Sequence, residues 1–543
     1  MKLSFKKLFN SQWSYMYAGI AVGLAQVIYM IGLWVSASNA GKTPTTKPIT
    51  VTTDLGKMFR AMEVFINNLF DFKTELYGKY GTIMVDGVET ILPATGGAFI
   101  PGVGWPIVGM IVGGYLVAKM ERESRGWAYY SKKALLVSFF GGAFFSYGTR
   151  LGGGCTLNHL MGGVPMMNIH SIVTALFMAM GGALGFVIMA KLGLANYFKH
   201  QETKAYVIAN KDKGEQATYK EGYKPTKTII YWVALTFSLV FVFVAVYNGF
   251  FSADSMEHIK VGKGDAASKI VAFNKSVDHK GWFYVIITLV AGIIGGIGMA
   301  KSGFGTECSL VAAETGADMA KNDEKYAKMG VPKITRTLMR SYAPIIGIAT
   351  HWVVMLAFIL IAWIVMGVNP GFSGGVKYSL TAGSFIGGLL LGIGAVTLIG
   401  CEIRSYMRLG LGYVNTMVGF MGFAFGYLPF TLMFKGHKNF LSSTVIAGEN
   451  GSLTDSFKVY ELFSDSETVQ QIILVLWWVF LVWLTYYFIK KGMKNTGLKK
   501  VHMIHANIEE VQNYIDTEAA ANNGKVNGVD APMPVPPDAY AEQ

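Results

Sequence analysis

Apolar residues along this chain gather into long runs rather than alternating with polar ones. Ten such runs, near 14–36, 103–119, 133–150, 171–194, 228–250, 282–300, 344–367, 381–399, 412–434 and 470–490, carry few charges. Most approach the roughly 20 residues that a helix needs to cross a hydrocarbon core. The pattern predicts an all-α polytopic membrane protein with about ten transmembrane helices. The first run follows Lys2, Lys6 and Lys7 in the manner of a signal peptide, and "VSASNA" after it has the look of a cleavage site. Its length favours a retained helix.

Lysine and arginine fix the expected orientation, because basic loops stay cytoplasmic. The loop 119–133 holds Lys119, Arg122, Arg125, Lys132 and Lys133; 195–227 holds seven lysines; 317–342 adds Lys321, Lys325, Lys328, Lys333, Arg336 and Arg340. Ten spans with both termini cytoplasmic satisfy all of these, and the basic segment Lys490–Lys500 as well. The chain then divides into an N-terminal transmembrane helix (1–37), an extracytoplasmic loop (38–102), a first-half core (103–250), an extracytoplasmic loop (251–281), a second-half core (282–434), a further extracytoplasmic loop (435–469), a last transmembrane helix (470–490) and a mostly disordered cytoplasmic tail (491–543). Within 38–102, "AMEVFINNLFDF" suggests an interfacial helix.

Composition agrees: the chain is 52% hydrophobic and 15% charged, too apolar for a water-soluble globule. Most of its net charge of +13 is accounted for by topology. A nucleic-acid surface would need a folded basic domain, which none of the inside loops is long enough to form. No GxxxxGK[ST] loop is present, so no internal ATP motor is expected. No cofactor or metal is expected either.

The three cysteines share a setting: Cys155 in "RLGGGCTLNHLMGG", Cys308 in "AKSGFGTECSLVAAETG" and Cys401 in "IGCEIRSYMRLGLG". Each follows a glycine-rich break after an apolar run and precedes a segment that reads as a short helix, Thr156 to Met161, Ser309 to Thr315 and Glu402 to Met407. Irregular backbone at membrane depth survives only where protein or a watery cavity surrounds it. Cys155 falls after the third span, at the outer side, and Cys401 after the eighth, at the inner side. Aligning the two matches Gly141 with Gly387, Gly142 with Gly388, Gly148 with Gly394 and Gly154 with Gly400. The register suggests two inverted five-span halves; the alternative is coincidence among 65 glycines, which transmembrane helices use for close packing. Cys308 follows the sixth span, and the matching place after the first has no cysteine.

Cations accompany each thiol: Arg150 before Cys155, Lys301 before Cys308, Arg404 and Arg408 after Cys401. Cations beside short helix starts favour an anion. The acids Glu307 and Glu402 adjoin two of the thiols; each either keeps its neighbouring thiol protonated or forms a salt bridge to Lys301 or Arg404. A single buried cysteine ordinarily packs as a small hydrophobe, but three of three at glycine breaks point to use. A disulfide is not expected, since the count is odd and Cys155 is assigned to the opposite side from the others. Two other chemistries fit parts of the pattern. Cys155 and His159 share a face at i, i+4, with Met161, Met166 and Met167 following, as a soft-metal (copper) path would want. Cys401 beside Arg404 suits a membrane sulfurtransferase carrying a persulfide. His351, Trp477 and Trp478 read as packing or interfacial anchors.

The three cysteine motifs resemble the YeeE/YedE family of sulfur-compound transporters, over roughly residues 95 to 435. The resemblance implies an hourglass of two inverted pseudo-repeats with re-entrant helices from both faces. It also implies thiosulfate handed between Cys155, Cys308 and Cys401 by S–H hydrogen bonds, in a bacterial inner membrane. A cytosolic TusA-like sulfur-carrier protein is the implied partner. The long 38–102 loop, the added length at both ends, and Glu307 and Glu402 depart from that pattern and leave a related sulfur or selenium compound as an alternative substrate.

Overall fold

The computed structural model describes residues 13–39, 46–72, 76–77, 80–85, 88–93, 102–120, 132–192, 229–251, 258–261, 268–271, 276–328, 333–370, 379–398, 400–447 and 458–504, with the single residues 44, 194 and 517. Much of the basic loops 119–133 and 195–227, and nearly all of the tail beyond 504, lie outside them.

Every one of the ten apolar runs is a helix. In chain order the first half gives α1 (Tyr15–Asn39), α2 (Thr52–Phe70), α3 (Trp105–Met120), α4 (Lys132–Leu151), a π-helical turn (Leu157–Gly163), α5 (Ile169–Lys191) and α6 (Ile229–Phe251). The second half gives α7 (Ser276–Ser302), α8 (Thr306–Lys321), α9 (Asp323–Lys328), α10 (Lys333–Arg340), α11 (Ala343–Met366), α12 (Ala382–Thr397), α13 (Glu402–Leu411), α14 (Val414–Leu432), α15 (Phe434–Ser443), α16 (Glu467–Thr496) and α17 (Lys500–Ile504). Among the described residues seven stretches are long and apolar enough to cross a membrane, α12 and α13 counting as one (Ala382–Leu411), or eight if α14 and α15, bent by 74° at their junction, also count as one span. Helix α3 is apolar but shorter. Most of these helices are apolar on every side, as suits burial among other helices and lipid.

The helix pairings repeat. Numbering the ten runs in order, the most extensive contacts join 4 with 8, 3 with 9, 2 with 6, 3 with 8, 1 with 6 and 1 with 7. A shift of five exchanges the first two pairs, exchanges 2·6 with 1·7, and returns 3·8 and 1·6 to themselves. Glycines make the central crossing of α4 on α12 this close. A Cβ on Gly394 would fall 2.7 Å from the Gly141 carbonyl oxygen, and one on Gly148 would fall 2.9 Å from that of Gly387. Under the alignment of Gly141 with Gly387 and Gly148 with Gly394, the first contact becomes the second. Such small residues let helices approach where no hydrophobic force drives them together.

Short helical segments follow runs 1, 3, 6 and 8. Two begin after a glycine in the left-handed region, Gly153 (φ 74°) before the π-turn and Gly303 (φ 71°) before α8, a conformation that costs other residues strain. Helix α8 starts earlier than the sequence suggests, so Cys308 lies within its first turn. The segment read as an interfacial helix, 61–72, forms the end of a longer helix, α2, whose first half is buried: Leu55, Met58 and Phe59 are in the core, and the Phe59 ring packs on Tyr77, Phe241, Phe420 and Tyr427. The apolar pattern also gave no sign of three small antiparallel pairs: β1 (Tyr80–Val85) with β2 (Val88–Pro93), β3 (His258–Val261) with β4 (Ser268–Val271), and β5 (Leu380–Thr381) with β6 (Val445–Ala447).

Candidate functional site

Where α4 ends, the chain turns through Gly153 and buries Cys155 completely. The Cys155 thiol donates to Asn158 Oδ1 at 3.1 Å, and the Cys155 carbonyl accepts the His159 N–H at 3.0 Å. His170 pins this break to the second half: its Nε2 faces the Gly152 carbonyl at 2.7 Å and its Nδ1 the Ser379 carbonyl, just ahead of α12, at 2.8 Å. The His159 ring lies parallel to that of His170, 5.2 Å away, with its Nδ1 3.3 Å from Ser171 Oγ. Around the π-turn, distant helices satisfy the carbonyls. Trp352 Nε1 donates to Leu160 at 2.7 Å, His351 Nε2 to Met161 at 3.1 Å, and Trp477 Nε1 to Pro165 at 3.1 Å. Irregular backbone inside a bundle persists because such donors complete it. His351 and Trp477 are therefore anchors, but anchors of this break.

The second break also puts a cysteine ahead of a short helix. Cys401, also fully buried, is the residue that precedes α13. Arg404 and Arg408 are buried beside it. A Cβ on Gly400 would sit 3.5 Å from Arg408 Nη1, so that guanidinium lies against the break. Neither Cys155 nor Cys401 is in a disulfide.

The two breaks meet. Glu402, next to Cys401 in sequence, faces the Cys155 thiol, which also faces the Thr52 side chain at the start of α2. Glu402 Oε1 accepts the Tyr406 hydroxyl at 2.6 Å, whereas Oε2 is buried with no hydrogen-bond partner. Leaving such an oxygen unpaired costs about 1–3 kcal/mol. Arg150 donates to the Thr52 carbonyl at 3.0 Å, lies 4.4 Å from the centre of the Tyr427 ring, and is near enough to attract the Glu402 carboxyl. Tyr427 donates to the same Thr52 carbonyl at 2.8 Å. The Tyr406 hydroxyl that Glu402 accepts comes from one helical turn further along α13.

Lys301 is wholly buried at the end of α7, seven residues before Cys308. The side chains of Cys308 and Glu307 lie outside the described residues; their backbone is in α8, which packs against α5, α11 and the π-turn. Among the described residues no three His, Cys, Asp or Glu side chains gather as a metal site. Thr52, Asn158, His170, Tyr406 and Tyr427 escaped the sequence reading. Tyr406 had a signal, the i, i+4 spacing from Glu402; the others are brought in by tertiary packing alone.

Broken helices that meet within a bundle of apolar helices have the form of a multi-pass membrane transporter. Residues 2–184 match the Sulf_transp family model, described as sulphur transport, so about a third of the chain is similar to that family. It contains Arg150, Cys155 and His159, while Lys301, Cys308, Cys401 and Glu402 lie beyond it. No curated protein and no solved structure matches the chain. The family match supports a sulfur-compound transporter with a sulfur anion as substrate.

Proposed function

We propose that the protein carries thiosulfate across a bacterial inner membrane, with both termini cytoplasmic, by passing it between the thiols of Cys155, Cys308 and Cys401. The observation that carries this reading is the meeting of the two breaks: the Cys155 thiol from one half faces the residue next to Cys401 from the other. The helix pairings that survive a shift of five support two inverted halves around that point.

The chemistry suits a soft dianion. Neutral thiols donate S–H to its oxygens and terminal sulfur, whereas thiolates would repel it. Arg150, Arg404, Arg408 and Lys301 supply positive charge within a low-dielectric surround, and His159 lines the outer break. The short helices after Cys155 and Cys401 turn their amino ends toward the thiols and add partial positive charge. Loosely held, successive donors let the anion leave each position as readily as it arrives. A cytosolic TusA-like carrier would take the sulfur near Cys401.

Uptake of sulfur-labelled thiosulfate into proteoliposomes tests the relay. Single Cys→Ala variants at 155, 308 and 401 should each lose most of the flux while remaining folded. Unchanged flux in all three would make the thiols structural, and native protein that never moves thiosulfate would end the thiosulfate reading.

A further inference from the structure

The relay through the thiols makes no use of one buried group at the meeting point, the carboxyl of Glu402. It is 1% exposed, its Oε1 is satisfied by Tyr406, its Oε2 has no hydrogen-bond partner, and the carboxyl lies against the Cys155 thiol. The titratable and charged groups around it come from several elements. Tyr406 is on its own helix, Cys155 is on the first break, and Arg150 is at the end of α4. Tyr427 of α14 and Asp54 of α2 also lie near it, and Arg404 is buried on the same helix. Arg150 is the cation that reaches it from the first half, held in place by the Thr52 carbonyl and the Tyr427 ring.

We propose that Glu402 is the proton-coupling residue of this site, taking up one proton each time a sulfur dianion reaches Cys155. The inference rests on the sulfur-anion reading above. With no anion present, the Glu402 carboxylate is balanced by Arg150. An arriving dianion takes over that cation and finds a carboxylate beside it, and the like charges repel. A proton from water on the side of arrival removes the repulsion, and the new O–H on Oε2 becomes a second donor to the anion beside the Cys155 S–H. When the anion moves on, Arg150 again faces Glu402, and the carboxyl returns its proton to water on the far side. No bond other than O–H is made or broken. One proton accompanies one dianion, so each cycle moves a single net negative charge.

The unpartnered oxygen fits this cycle. A carboxyl built only to brace α13 would have both oxygens satisfied, as Glu63 does on α2, where its two oxygens receive Arg60 and the backbone N–H groups of Leu76 and Tyr77.

Calorimetric titration of the full-length protein in lipid nanodiscs with sodium thiosulfate, repeated in buffers of different ionisation enthalpy, counts the protons taken up on binding. The native protein and Glu402→Asp should take up one proton per anion, with affinity rising tenfold per unit fall in pH above the titration of the carboxyl. Glu402→Gln should take up none. An infrared difference spectrum should show a carboxylic-acid C=O band appearing with thiosulfate, shifted in Glu402→Asp; this measurement keeps the test decisive if Glu402→Gln fails to fold. Thiosulfate binding to native protein without proton uptake overturns the proposal, as does an undiminished proton count in Glu402→Gln. Absence of thiosulfate binding at every pH overturns the sulfur-anion reading itself.

Discussion

Replacing Gly387 by alanine places one methyl group where α12 touches the turn before Cys155. The added Cβ would lie 2.3 Å from the Gly152 nitrogen, 2.6 Å from its Cα and 2.8 Å from the Gly148 carbonyl oxygen, whereas ordinary contact begins at 3.4 Å. All three neighbours are backbone, so no side chain can swing aside, and about 1 Å must come from separating α12 from the break. Overpacking of this kind costs about 1–3 kcal/mol. The shift acts on Gly152, whose carbonyl holds His170 at 2.7 Å, and so moves Cys155 relative to Glu402. Sites that depend on positioning lose on the order of 10²-fold for a 1 Å error; thiosulfate uptake should fall at least tenfold. Gly436→Ala on α15, where nothing lies within 4 Å of the new methyl, is the matched control and should transport normally. Proteoliposome uptake and thermal unfolding read both effects. Native uptake by Gly387→Ala would refute the claim that this crossing positions the thiol.

The mirror substitution, Gly141→Ala, drives a methyl to 2.5 Å from Thr397 Oγ1 and 2.8 Å from the Leu398 nitrogen, ahead of Cys401; a comparable loss of uptake is expected by the same assay. Arg150→Lys removes the planar group that covers the Tyr427 ring and reaches the Thr52 carbonyl, and a lysine cannot replace both contacts. The half-saturating thiosulfate concentration should rise several-fold with a smaller change in maximal rate. Trp352→Phe deletes the donor to the Leu160 carbonyl and should lower stability by about 1 kcal/mol, read by thermal unfolding.

The ten apolar runs were legible because a bilayer demands about 20 uninterrupted apolar residues per helix, a requirement written in consecutive positions. The cysteine breaks were legible because glycine marks the turn at Gly153 and Gly303. The register of Gly141 with Gly387 was visible as well, and the structure supplies its physical reason in the crossing of α4 on α12. What stayed hidden depends on neighbours far apart in sequence. Glu402 adjoins Cys401 in the chain, yet its side chain faces Cys155, 247 positions earlier. Helix α2 looked peripheral because its burial comes from packing on α6 and α14, not from its own composition. Thr52, at its start, carries no signal that separates it from any other threonine.

The crossing of α4 on α12 means that each half of the molecule builds the other's break. Gly387 in the second half backs the turn before Cys155, and Gly141 in the first backs the turn before Cys401. Neither thiol can reach its place while its own half is alone, so both pockets must mature together and late, after nearly the whole chain is in the membrane. Two separately expressed halves, split within 195–227, should therefore be inert apart and regain both cysteine pockets at once when they assemble.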